Sequence, residues 1–273
     1  DVGTGPQEMA WLMDTYSQEK GFAVPGVVTG KPIEIGGSLG RAEATGRGVV
    51  FTVIEAAKKM NLKIDGACKV AVHGFGNVGS VAAFEMFKLG AKVVAIGDFA
   101  GALYNKNGIN VAKLMEYRAA NRTIIGYPEA EAISNDDLLT LDVEILIPAA
   151  IDGVITMKNV NKIKAKMIAE GANGPITADA HKVLVERDVL IIPDVLCNAG
   201  GVIVSYFEWV QGLQSFFWTE EEVNEKLKQM IVSAFHTTYK VMDKYKTKDM
   251  KTAALISALE RLDRAMRLRG LFP

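Results

Sequence analysis

The sequence predicts an α/β fold with a doubly wound, mostly parallel sheet and flanking helices, and three observations carry that expectation. Short apolar runs rich in valine and isoleucine recur between helical patterns, at 69–73, 92–96, 143–147, 167–170 and 189–192. They are often continuous rather than alternating, as strands covered on both faces should be. Gly74, Gly76 and Gly79 separate the first run from a helical segment, and Asp98 closes the next run about twenty residues on. A series of this kind winds helices onto both faces of one sheet.

The elements follow in order. Thr4 and Gln7, with Pro6 in the first turn, predict a capped helix over about 6–20, and Met9, Leu12, Met13 and Tyr16 give it an apolar stripe. Residues 21–40, GFAVPGVVTGKPIEIGGSLG, are too rich in glycine and proline for regular structure, and irregular segments of that length tend to be functional. Val49, Val50, Val53, Ile54 and Ala57 mark a helix over about 42–60, its start loosened by Gly46 and Gly48. The strand series then runs from Asn61 to Ile192. Gly200 and Gly201 open a further apolar helix, and their lack of side chains suggests a close approach of backbone to ligand. Thr219 with Glu222 forms a capping box for the next helix, with Val223, Leu227, Met230, Ile231, Ala234 and Val241 on its core face. A last helix over about 250–268 carries Leu255, Leu259, Leu262 and Met266 and stops at Gly270. No internal repeat or low-complexity linker divides the chain, so residues 1–273 read as a single domain.

Composition narrows the function. The 273 residues suffice for a buried core without metal or disulfide. Two cysteines, Cys68 and Cys197, and a formal charge of -1 fit a soluble protein of a reducing compartment, the cytoplasm, with both thiols buried. No apolar run is long enough to cross a membrane, and no block of like charge points to nucleic acid or a membrane surface. The three histidines, His73, His181 and His236, fall at no ligand spacing, so no metal is expected. There is no GxSxG elbow and no Walker lysine.

The glycine triplet is a weak signal alone, and its context strengthens it. Following a strand and opening a helix, Gly74 permits a tight turn, Gly76 lets backbone approach a pyrophosphate, and Gly79 lets helix and strand pack closely. Backbone N–H groups at that helix start, around Asn77 and Val78, would meet the phosphates. Asp98 stands where a carboxylate can accept both hydroxyls of an adenosine ribose, which makes this a Rossmann-like dinucleotide site. A 2'-phosphate would be repelled there, and residues 99–105, FAGALYN, offer no basic partner, so NAD is favoured over NADP. Lys106, the nearest basic residue in sequence, would weaken that preference if its loop folded back. Ala149, Ala150, Asn173 and Asn198 lie near other strand ends, where such sheets bind ligands. On spacing alone the asparagines read equally as turn formers, and Ser205 as a helical bystander.

The runs PGVVTGKPIEIGGSLGRAEATGRGV, VAVHGFGNVGS, ILIPAA, IAEGANGP and PDVLCNAGGVIVSYFEWVQ resemble the glutamate dehydrogenase family (the Glu/Leu/Phe/Val dehydrogenases), in order and over nearly the whole chain. The segment EATGRGV favours glutamate over leucine or phenylalanine as the substrate class. The resemblance implies oxidative deamination of glutamate to 2-oxoglutarate and ammonia by hydride transfer to a nicotinamide. It implies that Asp1 assists proton transfer, Thr45 meets the nicotinamide carboxamide, Asn198 lies near the nicotinamide ribose and substrate, and Val202 and Ser205 meet the glutamate side chain. Arg41 and Ser38 fall in the matching active-site loop. In the family, a domain preceding the position of Asp1 holds the substrate-binding and catalytic lysines and most hexamer contacts. The expectation for these residues alone is therefore a monomer or weak dimer that binds cofactor with little turnover, with 1–40 and 250–273 facing that domain. Departures from the family pattern fall at Gly97, Phe99 and Ala100, at 151–153 (IDG), and at Gly212.

Overall fold

A computed structural model describes residues 3–270. The chain enters through helix α1 (Pro6–Lys20), passes two 3-10 turns at Pro25–Val27 and Ile33–Ile35, and continues into α2 (Ala44–Lys59). The alternating part follows as β1 (Lys69–His73), α3 (Asn77–Lys88), β2 (Lys92–Asp98), β3 (Gly101–Tyr104), α4 (Val111–Asn121), β4 (Glu131–Ile133), α5 (Asn135–Leu139) and β5 (Ile145–Pro148). Next come β6 (Met167–Ala169), α6 (Ala178–Glu186), β7 (Leu190–Ile192) and the short α7 (Asp194–Cys197). Three long helices close it, α8 (Gly200–Gln214), α9 (Glu220–Tyr245) and α10 (Met250–Arg269).

One seven-stranded sheet has the order β4-β3-β2-β1-β5-β6-β7. Strands β2, β1, β5, β6 and β7 are mutually parallel. The expected α/β architecture is present, and each forecast strand lies within two residues of an observed one. Two strands were not legible beforehand: β3 runs antiparallel to β2, and β4 antiparallel to β3. Their sequences, GALY and EAI, are too short and too poor in branched residues to stand out. The continuous apolar runs are explained by alternate burial. Val70, Val72, Ile145 and Ile147 face one core, while Ala71, Leu146 and Ile168 face the other. The parallel order reverses between β1 and β5, and such switch points bind ligands at the strands' carboxyl ends.

Several helices depart from expectation. Helix α1 is capped at Gly5, whose N–H donates to Glu8 Oε2 at 2.7 Å, not by the Thr4/Gln7 pair. It buries no residue: Trp11 is 61% exposed, and Leu12 and Tyr16 are also exposed. In α2 the glycines do not loosen the start; they lie inside the helix and allow close packing. A Cβ on Gly46 would stand 2.6 Å from Val81 Cβ of α3, and one on Gly48 would stand 3.1 Å from Gly200 Cα of α8. Helix α9 starts with the expected box, Thr219 Oγ1 accepting from Glu222 N at 3.2 Å. Its core face includes Phe235, Thr238 and Met242, whereas Met230 is exposed because the groove beside α10 stays open there. Helix α10 ends at Gly270 as expected, yet it buries only Met250 and Ala253; Leu255, Leu259, Leu262 and Met266 all face outward. Among the described residues no helix is long and apolar enough to cross a membrane.

Candidate functional site

Strand register sets the centre of the site. His73, the last residue of β1, pairs with Gly97 of β2 and with Pro148 of β5, so Asp98 and Ala149 flank the turn that begins at Gly74. Gly74 N donates to Gly97 O at 2.9 Å, and Ala149 N donates to His73 O at 2.7 Å. Each glycine of the triplet has its own constraint. Gly74 has φ +106°, and a Cβ on it would stand 2.7 Å from the Ala149 carbonyl. A Cβ on Gly79 would stand 1.8 Å from Gly74 O, inside any contact distance, so only glycine lets α3 sit this close to the strand end. Gly76 has nothing within 4 Å of its Cβ position. That open space beside the first turn of α3, where Asn77 and Val78 have N–H groups with no helical acceptor, fits a pyrophosphate lying on backbone.

Asp98 ends β2 and is half-buried. Its Oδ1 accepts from Ala100 N at 2.7 Å, and Oδ2 lies 3.5 Å from Ile124 N. The carboxylate is thereby held in the β2–β3 turn, next to Phe99, which is 91% exposed. Lys106 does not fold back over it. The 105–109 segment bonds to Val93 and Val94 near the start of β2, four residues from Asp98 or on the order of 13 Å along the strand. The basic residue missed from sequence is Arg118 of α4, whose guanidinium sits 5.4 Å from the centre of the Phe75 ring within the glycine turn. A separation of 43 positions between Phe75 and Arg118 left no local signal.

On the other side of the turn opens a cleft of about 710 Å³. Arg41, Thr45, Val78, Ala149, Ala150, Asn173, Asn198 and Val202 line it, so sequence-predicted residues from separate stretches of the chain converge there. Asn198 Nδ2 donates to Asn173 Oδ1 at 2.7 Å, joining the two asparagines. Arg41 Nε donates to Ser205 Oγ at 2.8 Å, so the helical serine is engaged rather than idle. Gly200 and Gly201 are explained by packing: their Cβ positions would stand 2.1 Å from Ala44 O and 2.5 Å from Thr45 Oγ1. The close approach is thus to α2, with Gly201 also on the cleft wall. Asp1 lies outside the described residues.

The irregular 21–43 segment is held by a charge that sequence reasoning did not single out. Lys31 Nζ donates to Glu208 Oε1 of α8 at 2.6 Å, with both side chains wholly buried. Gly30 N donates to Glu208 Oε2 at 2.9 Å, and Gln211 Nε2 donates to Ser38 Oγ at 3.0 Å. These bonds fix the loop that delivers Arg41 to the cleft.

Histidines and thiols are arranged as follows. His73 is buried, and desolvation lowers its pKa, favouring the neutral ring. It floors a second cleft of about 470 Å³ that none of the other predicted residues lines. His181 Nε2 lies 2.9 Å from Asp249 Oδ1, and His236 Nε2 lies 2.9 Å from Glu55 Oε2, so both pair with carboxylates far away in sequence. No group of three or more metal-ligating side chains occurs among the described residues. Cys68 and Cys197 are buried, and burial pushes the Cys68 thiol up to about 11.

Comparison with known proteins gives a consistent result. The sequence profile of the glutamate/leucine/phenylalanine/valine dehydrogenases matches residues 36–270. The glutamate dehydrogenase of Thermotoga maritima is 50% identical over 274 residues, taking in 100% of this chain and 65% of that protein. The NAD-specific glutamate dehydrogenase of Staphylococcus aureus is 48% identical, over 99% of this chain and 64% of that protein. Among solved structures, the hetero-hexameric glutamate dehydrogenase of Thermus thermophilus in its Leu-bound form superposes with a TM-score of 0.92 at 36% identity, over 100% of this chain and 64% of its own. The chain spans about two thirds of the curated relatives it matches, 65% in the Thermotoga case.

Proposed function

The chain belongs to the glutamate/leucine/phenylalanine/valine dehydrogenase family, and from that premise we propose that it forms the NAD-binding domain of a glutamate dehydrogenase. The observation that carries this reading is the Gly74–Gly79 turn at the switch point, with open space at Gly76 and a carboxylate, Asp98, ending the neighbouring strand β2. Gly74, Gly76, Asn77, Val78 and Gly79 would hold the pyrophosphate and Asp98 the adenosine ribose. Thr45, Ala149, Ala150, Asn173 and Asn198 would surround the nicotinamide end. The bound cofactor would supply the hydride chemistry.

The chain's own groups would orient and bind. Arg41, positioned by Ser205, brings a positive charge to the cleft wall, as a dicarboxylate substrate requires. Val202, 74% exposed on the same wall, offers an apolar contact for the substrate's methylene groups. Asp1 would assist proton transfer by the resemblance. NAD is preferred to NADP because Asp98 opposes a 2'-phosphate and Lys106 lies elsewhere; Arg118 is the group that would moderate the preference. By the same resemblance the catalytic lysines belong to the part of the relatives outside the matched segment. These residues alone are then expected to bind cofactor with negligible turnover, as a monomer or weak dimer. The outward apolar residues of α1 and α10 are the face the rest of such an enzyme would cover, within a hexamer.

The test is a paired titration with NADH and NADPH, following energy transfer from tryptophan, with Asp98→Ala as control. Expected is saturable NADH binding, weaker NADPH binding, and a loss of about tenfold or more in the variant, the scale of a hydrogen bond to a charged group. A folded chain that binds neither would overturn the reading.

A further inference from the structure

Under the asparagine pair lies a buried acid that the proposed chemistry does not use. Glu170 follows β6 and is wholly buried. The N–H of Asp194, first residue of α7, donates to Glu170 Oε2 at 2.8 Å. Asp194 in turn accepts from Gly174 N at its Oδ2, 2.8 Å away, and Gly174 O accepts from Gly153 N at 2.9 Å. Asn198 N donates to Asp194 O at 3.0 Å, while Asn198 Nδ2 holds Asn173 Oδ1. One carboxyl therefore stands behind both asparagines, and its second oxygen, Oε1, has no partner in its sealed position.

We propose that Glu170 is a positioning residue for the nicotinamide end of the cleft: through Asp194 it holds the turn carrying Asn173, and that turn slackens when Glu170 takes up a proton. This rests on the NAD-binding reading for its effect on cofactor, though not for the linkage itself. A carboxylate accepts the Asp194 N–H more strongly than a neutral carboxyl does, and a proton placed on Oε1 would find no acceptor there. The charged and titratable groups facing Glu170 are Asp194 and Cys197 of α7, His181 of α6 and Lys251 of α10. Burial raises the carboxyl above its ordinary range and the Asp194 charge adds to that, while the Asp194 N–H, Lys251 and His181 oppose it. The change of charge thus falls closer to neutrality than for an exposed glutamate. Loss of the proton, as pH rises, tightens the turn.

The experiment measures NADH affinity and the Gly174 amide chemical shift of the folded chain from pH 5 to 8. Wild type should lose about fivefold in affinity on acidification, the difference between a charged and a neutral acceptor, and the Gly174 amide should titrate with the same midpoint. Glu170→Gln should keep the acid-side affinity at every pH, with a flat amide shift. Asp194→Asn, which keeps an acceptor for Gly174 N but removes the facing charge, should move the midpoint to lower pH and serves if the Gln variant does not fold. A pH-independent wild type, a limb that persists in Glu170→Gln, or an unmoved midpoint in Asp194→Asn would overturn the proposal. A titrating Gly174 amide in a chain that binds no NADH at any pH would instead overturn the cofactor reading and leave the linkage standing.

Discussion

The two ends of the candidate site are built by different means. At the Gly74–Asp98 end nearly everything is backbone within thirty residues of sequence: a turn, the start of α3 and the end of β2, with glycines where atoms approach too closely for a side chain. At the asparagine end the chain brings Arg41, Asn173, Asn198 and Ser205 from segments far apart, and side-chain hydrogen bonds lock them. The lesson is that a site made of backbone is rigid and intolerant of added volume, whereas one made of side chains is sensitive to lost partners.

Four tests by substitution would break or sharpen that contrast. The largest effect is expected at the asparagine end, where Glu208→Ala leaves the Lys31 ammonium buried without its counter-ion. A loss of about 3–5 kcal/mol in urea unfolding is expected, the scale of breaking a buried ion pair. A variant that stays within 1 kcal/mol of wild type would mean that the loop holding Arg41 does not depend on charge. Next is the glycine pair at the other end. Gly79→Ala should destabilise by about 1–3 kcal/mol or more through overpacking against Gly74 O, whereas Gly76→Ala should change stability by less than about 0.5 kcal/mol while weakening NADH binding. Equal melting temperatures for the two variants would refute the steric account. A smaller term comes from Asn173 and Asn198, where a double-mutant cycle to alanine should show coupling of about 0.5–1.5 kcal/mol in the direction of their bond. Additive single effects would show the two amides to be independent.

The smallest is an acid-side effect beneath the asparagine end. Burial works against the Asp249 charge, yet hydrogen bonds from His181 and Thr252 hold its pKa down to about 2. A lowered carboxyl stabilises the fold above the unfolded value near ~4, and that contribution disappears as pH falls through about 2. His181→Gln, which weakens that support, should therefore shift acid unfolding to higher pH without moving the melting temperature at pH 7 by more than the lost contact. No shift in the acid midpoint would assign the lowered value to other neighbours.

How far each end could be read beforehand follows the same division. The triplet and Asp98 were legible because strand, turn and helix are neighbours in sequence and each glycine answers a local geometric need. Asn198 and Ser205 were ambiguous from spacing, since turn formers and helical serines are common; only the resemblance to a family gave them roles. Lys31, Glu208 and Arg118 went unnoticed because their partners lie far off in the chain and no periodicity marks them. The reversed strand β3 was missed for another reason: four residues with a glycine at φ +143° carry no alternation. The outward apolar stripe of α10 had helical spacing like any core helix, and spacing does not say what lies opposite.

The glycine contacts of α2 carry a mechanical consequence. Gly46 lies against Val78 and Val81 of α3, Gly48 lies against Gly200 of α8, and Gly200 meets the Ala44 carbonyl. One helix is thus clamped at its glycines between the element under one end of the site, where it meets the Val78 carbonyl and the Val81 side chain, and the element under the other, where it meets Gly200 main chain. The side chains that do enter those contacts, Val81 and Ile231, are branched at Cβ and stiff, so the span between the two ends behaves as a fixed gauge. A ligand reaching across it meets a distance already set, and little ordering remains to oppose its binding. Any opening and closing in a larger assembly must then carry both ends together as a single rigid body, with the hinge elsewhere.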